Sequence, residues 1–223
     1  MNAAINFPQT LVTGCAHDPY VAVGGSTPRR LEFFSDFRPG LRVLDVGCGD
    51  GTHLAEIARR GCQAVGVESN RDAVGRLQDQ GFDVAPGTAE CLPFADRSFD
   101  AIVCSVVVPY TDEGRAIAEW ARVLKPHGEV RASYHGLGYA LRHLLRGPGI
   151  RTRLYGARTI SNSWLYALTG RRLPGFWGDT LYQSAARLRR YYQAAPFSLR
   201  AEYIRPAFGG LRDVFFHHLQ KGS

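Results

Sequence analysis

The chain has 223 residues, 45% hydrophobic and 21% charged, with a net charge of +7 and five cysteines; this composition suits one globular domain with a sizeable core and excludes disordered, collagen-like and disulfide-stapled classes. The charge is uneven, with 13 basic against 17 acidic side chains in residues 1–135 and 14 against 3 in residues 136–223. No stretch approaches the ~20 apolar residues of a membrane span, and Cys15, Cys48, Cys62, Cys91 and Cys104 show neither a CxxC pair nor ligand spacing, so reduced thiols and a cytoplasmic location are expected.

Residues 1–38 read as an N-terminal helical or lid segment; Leu11 to Cys15 looks like a lipoprotein cleavage box but lacks a basic start and an apolar core before it. A strand is expected over 41–46, then a helix from about 51 to 60 with Leu54, Ile57 and Ala58 on one face and Gly61 ending it. Strand 63–68 leads to helix 70–80, with Ala73, Val74 and Leu77 inward and Gly81 as terminator. Strands 82–85 and 99–106, a helix over 112–124 and strand 129–133 follow. Such alternation predicts an α/β, doubly wound and mainly parallel sheet with ligands at the carboxyl ends of its strands.

The most informative stretch is Val43 to Gly51, V-L-D-V-G-C-G-D-G. An apolar strand runs into Asp45, and Gly47, Gly49 and Gly51 then allow a turn that side chains forbid and expose bare main chain to a ligand. A dinucleotide fingerprint needs G-x-G-x-x-G, whereas this chain has G-x-G-x-G after an acid, which would repel a pyrophosphate and attract a cation. Here the sequence resembles the Rossmann-like S-adenosylmethionine-dependent methyltransferases. The resemblance implies that Asp45, Gly47, Cys48 and Gly49 hold the methionyl part of S-adenosyl-L-methionine. It also implies that Glu68, ending the next strand, holds the ribose hydroxyls beside Ser69.

The resemblance continues through Gly87 to Cys104 and Glu119 to Gly128, which look like blocks of the small-molecule branch that includes the ubiquinone and menaquinone biosynthesis methyltransferases (methyltransferase type 11). It covers roughly residues 40–133 and adds Thr88, Ala89, Glu90 and Ser105 to the cofactor site. It also implies seven strands with an antiparallel last strand. Two positions depart from the pattern: Thr88 stands where the family has Asp, and His127 where it has the first glycine of P-G-G. The family order implies a late helix, Ser184 to Ala195, and a final antiparallel pair of strands, 199–205 and 212–220, which leaves 136–180 as a helical insertion after the fifth strand, placed to cap the substrate. It carries Arg142, Arg146, Arg151, Arg153, Arg158, Arg171 and Arg172 against Asp179 alone. Its bland reading is a helical pair packed by Leu141, Leu144, Leu145, Trp164, Leu165 and Leu168, with the arginines in water.

Methyl transfer from a sulfonium needs positioning and exclusion of water, and a base only where the acceptor must lose a proton. His135, with Tyr134 beside it, is the candidate base, against a purely structural hydrogen bond in the turn; His17, with Tyr20, lies where the family folds an N-terminal segment over the cofactor. Val107 to Tyr110 keeps only the last half of an amino-methylation N/D-P-P-Y motif, Ser105 to Val108 offers no metal-ligand cluster, and Cys104 lies in an apolar strand as an inert thiol. The expected function is methyl transfer, at oxygen, to a small-molecule or glycan-type acceptor that is anionic or aromatic. An RNA methyltransferase or RNA binder using the basic, aromatic-rich C-terminal half, and a non-catalytic cofactor-binding assembly protein, are the competing readings.

Overall fold

A computed structural model describes residues 21–22, 30–173, 180–206 and 208–223. In chain order the elements are β1 (Val21–Ala22), α1 (Arg30–Ser35), β2 (Arg42–Val46), α2 (Thr52–Arg59), β3 (Gln63–Glu68), α3 (Arg71–Asp79), β4 (Asp83–Pro86) and β5 (Phe99–Ser105). There follow α4 (Glu113–Val123), β6 (Leu124–His135), α5 (Leu137–Arg146), α6 (Ile150–Thr169), α7 (Ala185–Ala194), β7 (Phe197–Pro206) and β8 (Arg212–Lys221). The sheet order is β1-β7-β8-β6-β5-β2-β3-β4. Strands β2 to β6 pair in parallel, and β8 runs antiparallel between β6 and β7. These are the seven expected strands. Two-residue β1, pairing Val21 with Ile204, adds an eighth at the β7 edge.

Because both faces of the sheet are covered, its central strands are apolar without alternation: Ala101, Ile102, Val103 and Cys104 of β5 are all fully buried. Period two then sorts them. Leu44, Val46, Ile102 and Cys104 join Trp120, Tyr134 and Phe215 in the core beneath α4 and α7. Val43, Ala101 and Val103 join Phe33, Phe34, Phe37 and Ile57 in the core beneath α1 and α2. Asp45, two residues on from Val43, shares the second face. The Arg131 guanidinium ties α1 down by donating to the carbonyls of Phe33 at 2.9 Å and Asp36 at 2.7 Å.

Helix starts follow local chemistry. Asn70 accepts from the amides of Asp72 and Ala73 to begin α3, and Asp112 accepts from the Arg115 amide to begin α4. Strand β6 is longer than expected, since the ladder extends back through Leu124 while His127 turns at φ 62° where the family has glycine. The inserted helices are present, but their contact differs from the expected one. A Cβ at Gly156 would lie 2.5 Å from the Leu144 amide nitrogen and 2.6 Å from the Ala140 carbonyl oxygen, so α5 and α6 meet backbone to backbone. Leu145, Trp164 and Leu168, expected to pack the pair, are therefore left 62%, 62% and 83% exposed, while Leu141, Leu144 and Leu165 are half-buried.

Candidate functional site

The loop after β2 takes the shape its glycines allow. Gly47, Gly49 and Gly51 have φ of 71°, 56° and 80°, and a Cβ at Gly47 would sit 2.4 Å from a Val107 methyl. The loop is drawn onto the neighbouring strand, with the amides of Gly47 and Cys48 both donating to the Val67 carbonyl at 2.8 and 3.2 Å. Beneath it Asp45 is 1% exposed, and neither carboxylate oxygen has a hydrogen bond. His53 approaches at 3.9 Å, which is Coulombic reach and not a hydrogen bond. Burial pushes the Asp45 carboxyl from 3.8 up to about 8, with Asp50 and Glu68 adding to the rise. A buried carboxylate without hydrogen bonds is an unmet demand for a cation or donor.

Glu68 stands across the loop. Its Oε2 accepts from the Gly49 amide at 3.1 Å, and its Oε1 accepts from the Asn70 amide at 2.9 Å and the Ser69 hydroxyl at 3.2 Å. Three of its four or so acceptor directions are used, leaving one on Oε2 for a ligand hydroxyl. Thr88 is exposed and bridges Cys91, Ala89 is buried in the core, and the Glu90 carboxylate accepts from the Asp112 amide at 3.0 Å. Ser105, opposite Ser133, ends β5. The cofactor candidates therefore converge at one end of the sheet, with two differences in role. The Cys48 side chain packs under the loop with Leu54, Val74, Leu77 and Val84 and presents only its backbone, and burial drives its thiol up to about 12. The Ala89 side chain likewise belongs to the core.

The proposed catalytic residues separate. Tyr134 points into the core: its hydroxyl accepts from Tyr192 at 2.7 Å, Tyr192 meets His217 Nδ1 at 2.8 Å, and His217 Nε2 meets Glu202 at 2.9 Å. Fully buried in that chain, with burial raising its pKa, it cannot reach an acceptor. Strand period two alone would have set Tyr134 and His135 on opposite faces. His135 is 8% exposed and stacks on Tyr139 with centroids 3.6 Å apart and planes at 8°. His17 and Tyr20 lie outside the described residues.

Which side chains of the insertion meet here lay beyond sequence reasoning. An aromatic column continues from Tyr139 to His143 and Tyr155, whose hydroxyl lies 3.5 Å from that of Tyr110. Burial holds the His143 imidazole below its usual value, hence neutral at neutral pH. A cleft of about 340 Å³ lined by Glu90, Tyr110, Thr111, Asp112, Tyr166, Gly170 and Arg172 opens between the strand ends and α6. Val106, a β-branched residue at φ 61°, bends the chain there. His53, the second residue of the helix that follows the glycines, is a neighbour of Asp45 that its place just after the glycine loop could have pointed to.

Comparison with known proteins agrees with this fold. Residues 44–132 match the methyltransferase domain family. The chain is 39% identical over 95 residues to a demethylmenaquinone methyltransferase of Renibacterium salmoninarum, covering 41% of this chain and 40% of that protein. It is 37% identical over 113 residues to a ubiquinone biosynthesis O-methyltransferase of Hahella chejuensis, covering 46% and 48%. The matched region thus spans less than half the length of these relatives. Over 83% of the chain and 94% of the other, the fold superposes on a SAM-dependent methyltransferase from Methanosarcina mazei with a TM-score of 0.61 at 22% identity. Residues 44–132 are thus similar to the methyltransferase domain family, within a chain that shares the Rossmann-like fold of solved S-adenosylmethionine-dependent methyltransferases.

Proposed function

We propose that this protein transfers a methyl group from S-adenosylmethionine to a small-molecule acceptor, at oxygen. The observation that carries the reading is Asp45, a buried carboxylate without a hydrogen bond beneath a loop of bare backbone. Asp45 would hold the cationic amino-acid end of the cofactor, Glu68 its ribose through the remaining Oε2 direction, and the Thr88 to Glu90 segment its base. When bound, S-adenosylmethionine supplies a methyl group already activated on a sulfonium. The protein's part is then to orient the acceptor and exclude water.

The segment 136–180 acts as the substrate cap, and the cleft beside Tyr110, Tyr166 and Arg172 receives the acceptor. The two phenol rings there suit an aromatic molecule, and Arg172, set beside the carboxylates of Glu90 and Asp112, is the group that would meet an anionic one. His135, at the end of β6, takes the acceptor's proton. Relatives named for menaquinone and ubiquinone methylation support a small-molecule acceptor, and the name O-methyltransferase supports oxygen. The protein works in the cytoplasm, where Cys48, Cys62, Cys91 and Cys104, none in a disulfide, would stay reduced.

The test is formation of S-adenosylhomocysteine with a panel of phenols, catechols, hydroxy acids and glycosides, run beside bulk RNA. Turnover with a phenolic or acidic acceptor, lowered in kcat by His135→Ala, supports the reading. Turnover on RNA alone, or tight cofactor binding without turnover on any acceptor, replaces it.

A further inference from the structure

Helix α6 buries its polar face and exposes its apolar one. Its buried residues are Gly156, Arg158, Thr159, Asn162 and Ser163. Thr159 and Ser163 donate back to the carbonyls of Tyr155 and Thr159, and Ser163 Oγ accepts from the Tyr182 amide at 2.9 Å. Outward stand Ile150, Leu154, Trp164 and Leu168, exposed by 70, 59, 62 and 83%. Positions 150, 154, 157, 161, 164 and 168 advance by fours and threes, so these side chains form one stripe with Ala157 and Ser161 between them. At 1.5 Å per residue the stripe is ~27 Å long. Leu145, at the end of α5, is another exposed apolar side chain of the pair at 62%. Helices α2, α3 and α4 bury their apolar residues in the ordinary way. Keeping such a stripe in water opposes the hydrophobic effect, which marks it as a contact surface.

Charge selects what covers it. Residues 136–178 contain no Asp or Glu, and Arg146, Arg151, Arg153 and Arg171 are exposed near the two ends of α6. A second copy docking by a two-fold axis would set these arginines against their own counterparts with no carboxylate between them. A single-stranded nucleic acid wants a row of aromatic platforms, whereas this stripe offers one tryptophan among aliphatic side chains. An anionic lipid surface answers both features at once, with phosphates for the arginines, hydrocarbon for the aliphatic stripe and an interfacial level for the indole.

We propose that the α5–α6 pair lays this arginine-flanked stripe into the surface of an anionic phospholipid membrane. The contact is peripheral, since no described helix is long and apolar enough to cross a bilayer. It stands independently of the methyl-transfer reading, because it uses no cofactor and no turnover.

The test is co-sedimentation of the full chain with vesicles of pure phosphatidylglycerol or pure phosphatidylcholine, at low and high salt. Binding to phosphatidylglycerol that weakens with salt and is at least about tenfold weaker on phosphatidylcholine supports the proposal. Trp164→Ser combined with Leu168→Ser, and separately Arg151→Glu combined with Arg171→Glu, should each lower the partition coefficient at least about tenfold. Unchanged thermal melts would show that these exposed replacements leave the fold intact. The proposal is overturned if the wild-type chain ignores phosphatidylglycerol vesicles, if it binds both lipids equally, or if the stripe variants bind like the wild type. It is also overturned if the stripe variants instead abolish self-association or RNA binding while vesicle binding is absent.

Discussion

Two carboxylates near the ligand end of the sheet are equally buried and differently served. Glu113 is fully buried at the start of α4, where Arg187 donates to it twice, at 2.6 and 2.8 Å, and Gln183 once, at 3.1 Å. Asp45 is 1% exposed at the end of β2 and receives no hydrogen bond. The first is part of the scaffold, pinning the segment that returns from the inserted helices to α7. The second is left without a donor in the free protein, and under the proposed function a cationic ligand would relieve it. Burial alone therefore does not separate the two carboxylates; the missing partner does, and it makes Asp45 the candidate for a ligand.

The largest effect should come from breaking the served pair. Arg187→Ala leaves Glu113 buried without its cation and is expected to lower stability by ~3–5 kcal/mol in denaturant unfolding, whereas Glu113→Met with Arg187→Met should lose much less. At the unserved acid the signs split. Asp45→Asn should weaken S-adenosylmethionine binding about hundredfold while raising the melting temperature of the free protein at pH 8. Loss of both affinity and stability would instead make Asp45 a scaffold residue like Glu113.

The pH dependence sharpens the same contrast. The Asp45 carboxyl is raised from 3.8 to about 8 in the folded chain, so its proton stabilises the fold fully below the unfolded value, and that contribution is lost as pH rises through the folded one. Stability of the free wild type relative to Asp45→Asn should thus fall between about pH 4 and about pH 8. The cofactor must displace this proton, so its affinity should rise up to about tenfold per pH unit below the same upper limit. A flat affinity profile from pH 6 to 8 would mean that Asp45 is already ionised or takes no part. The smallest effect belongs far from both acids: His127→Gly relieves a left-handed residue at φ 62° and should change stability by less than about 1 kcal/mol, read as a melting shift of a few degrees at most.

What the sequence revealed of these features follows their locality. Strands β2 to β6, the glycine loop and the helices between them were legible because apolar period, glycine spacing and capping residues act over a few positions. Asp45 and Glu68 were legible for the same reason, each at the end of a strand pattern. The service of Glu113 by Arg187 was not, since its partners stand 74 positions apart and meet only through the folded insertion. Tyr134 was misplaced because it was grouped with His135 by adjacency, although neighbours in a strand face opposite ways. Helix α6 reads as an ordinary packed helix until Gly156 is seen to bring the α5 backbone close, which fills the interface with small polar residues and turns Trp164 and Leu168 outward.

Calorimetric titration of S-adenosylmethionine into wild-type and Asp45→Asn protein at pH 8 tests the central claim most directly. A saturable one-to-one isotherm for the wild type, weakened about hundredfold in a folded Asp45→Asn variant, is the predicted result. Equal binding by the two proteins, or no binding by the folded wild type, would contradict it.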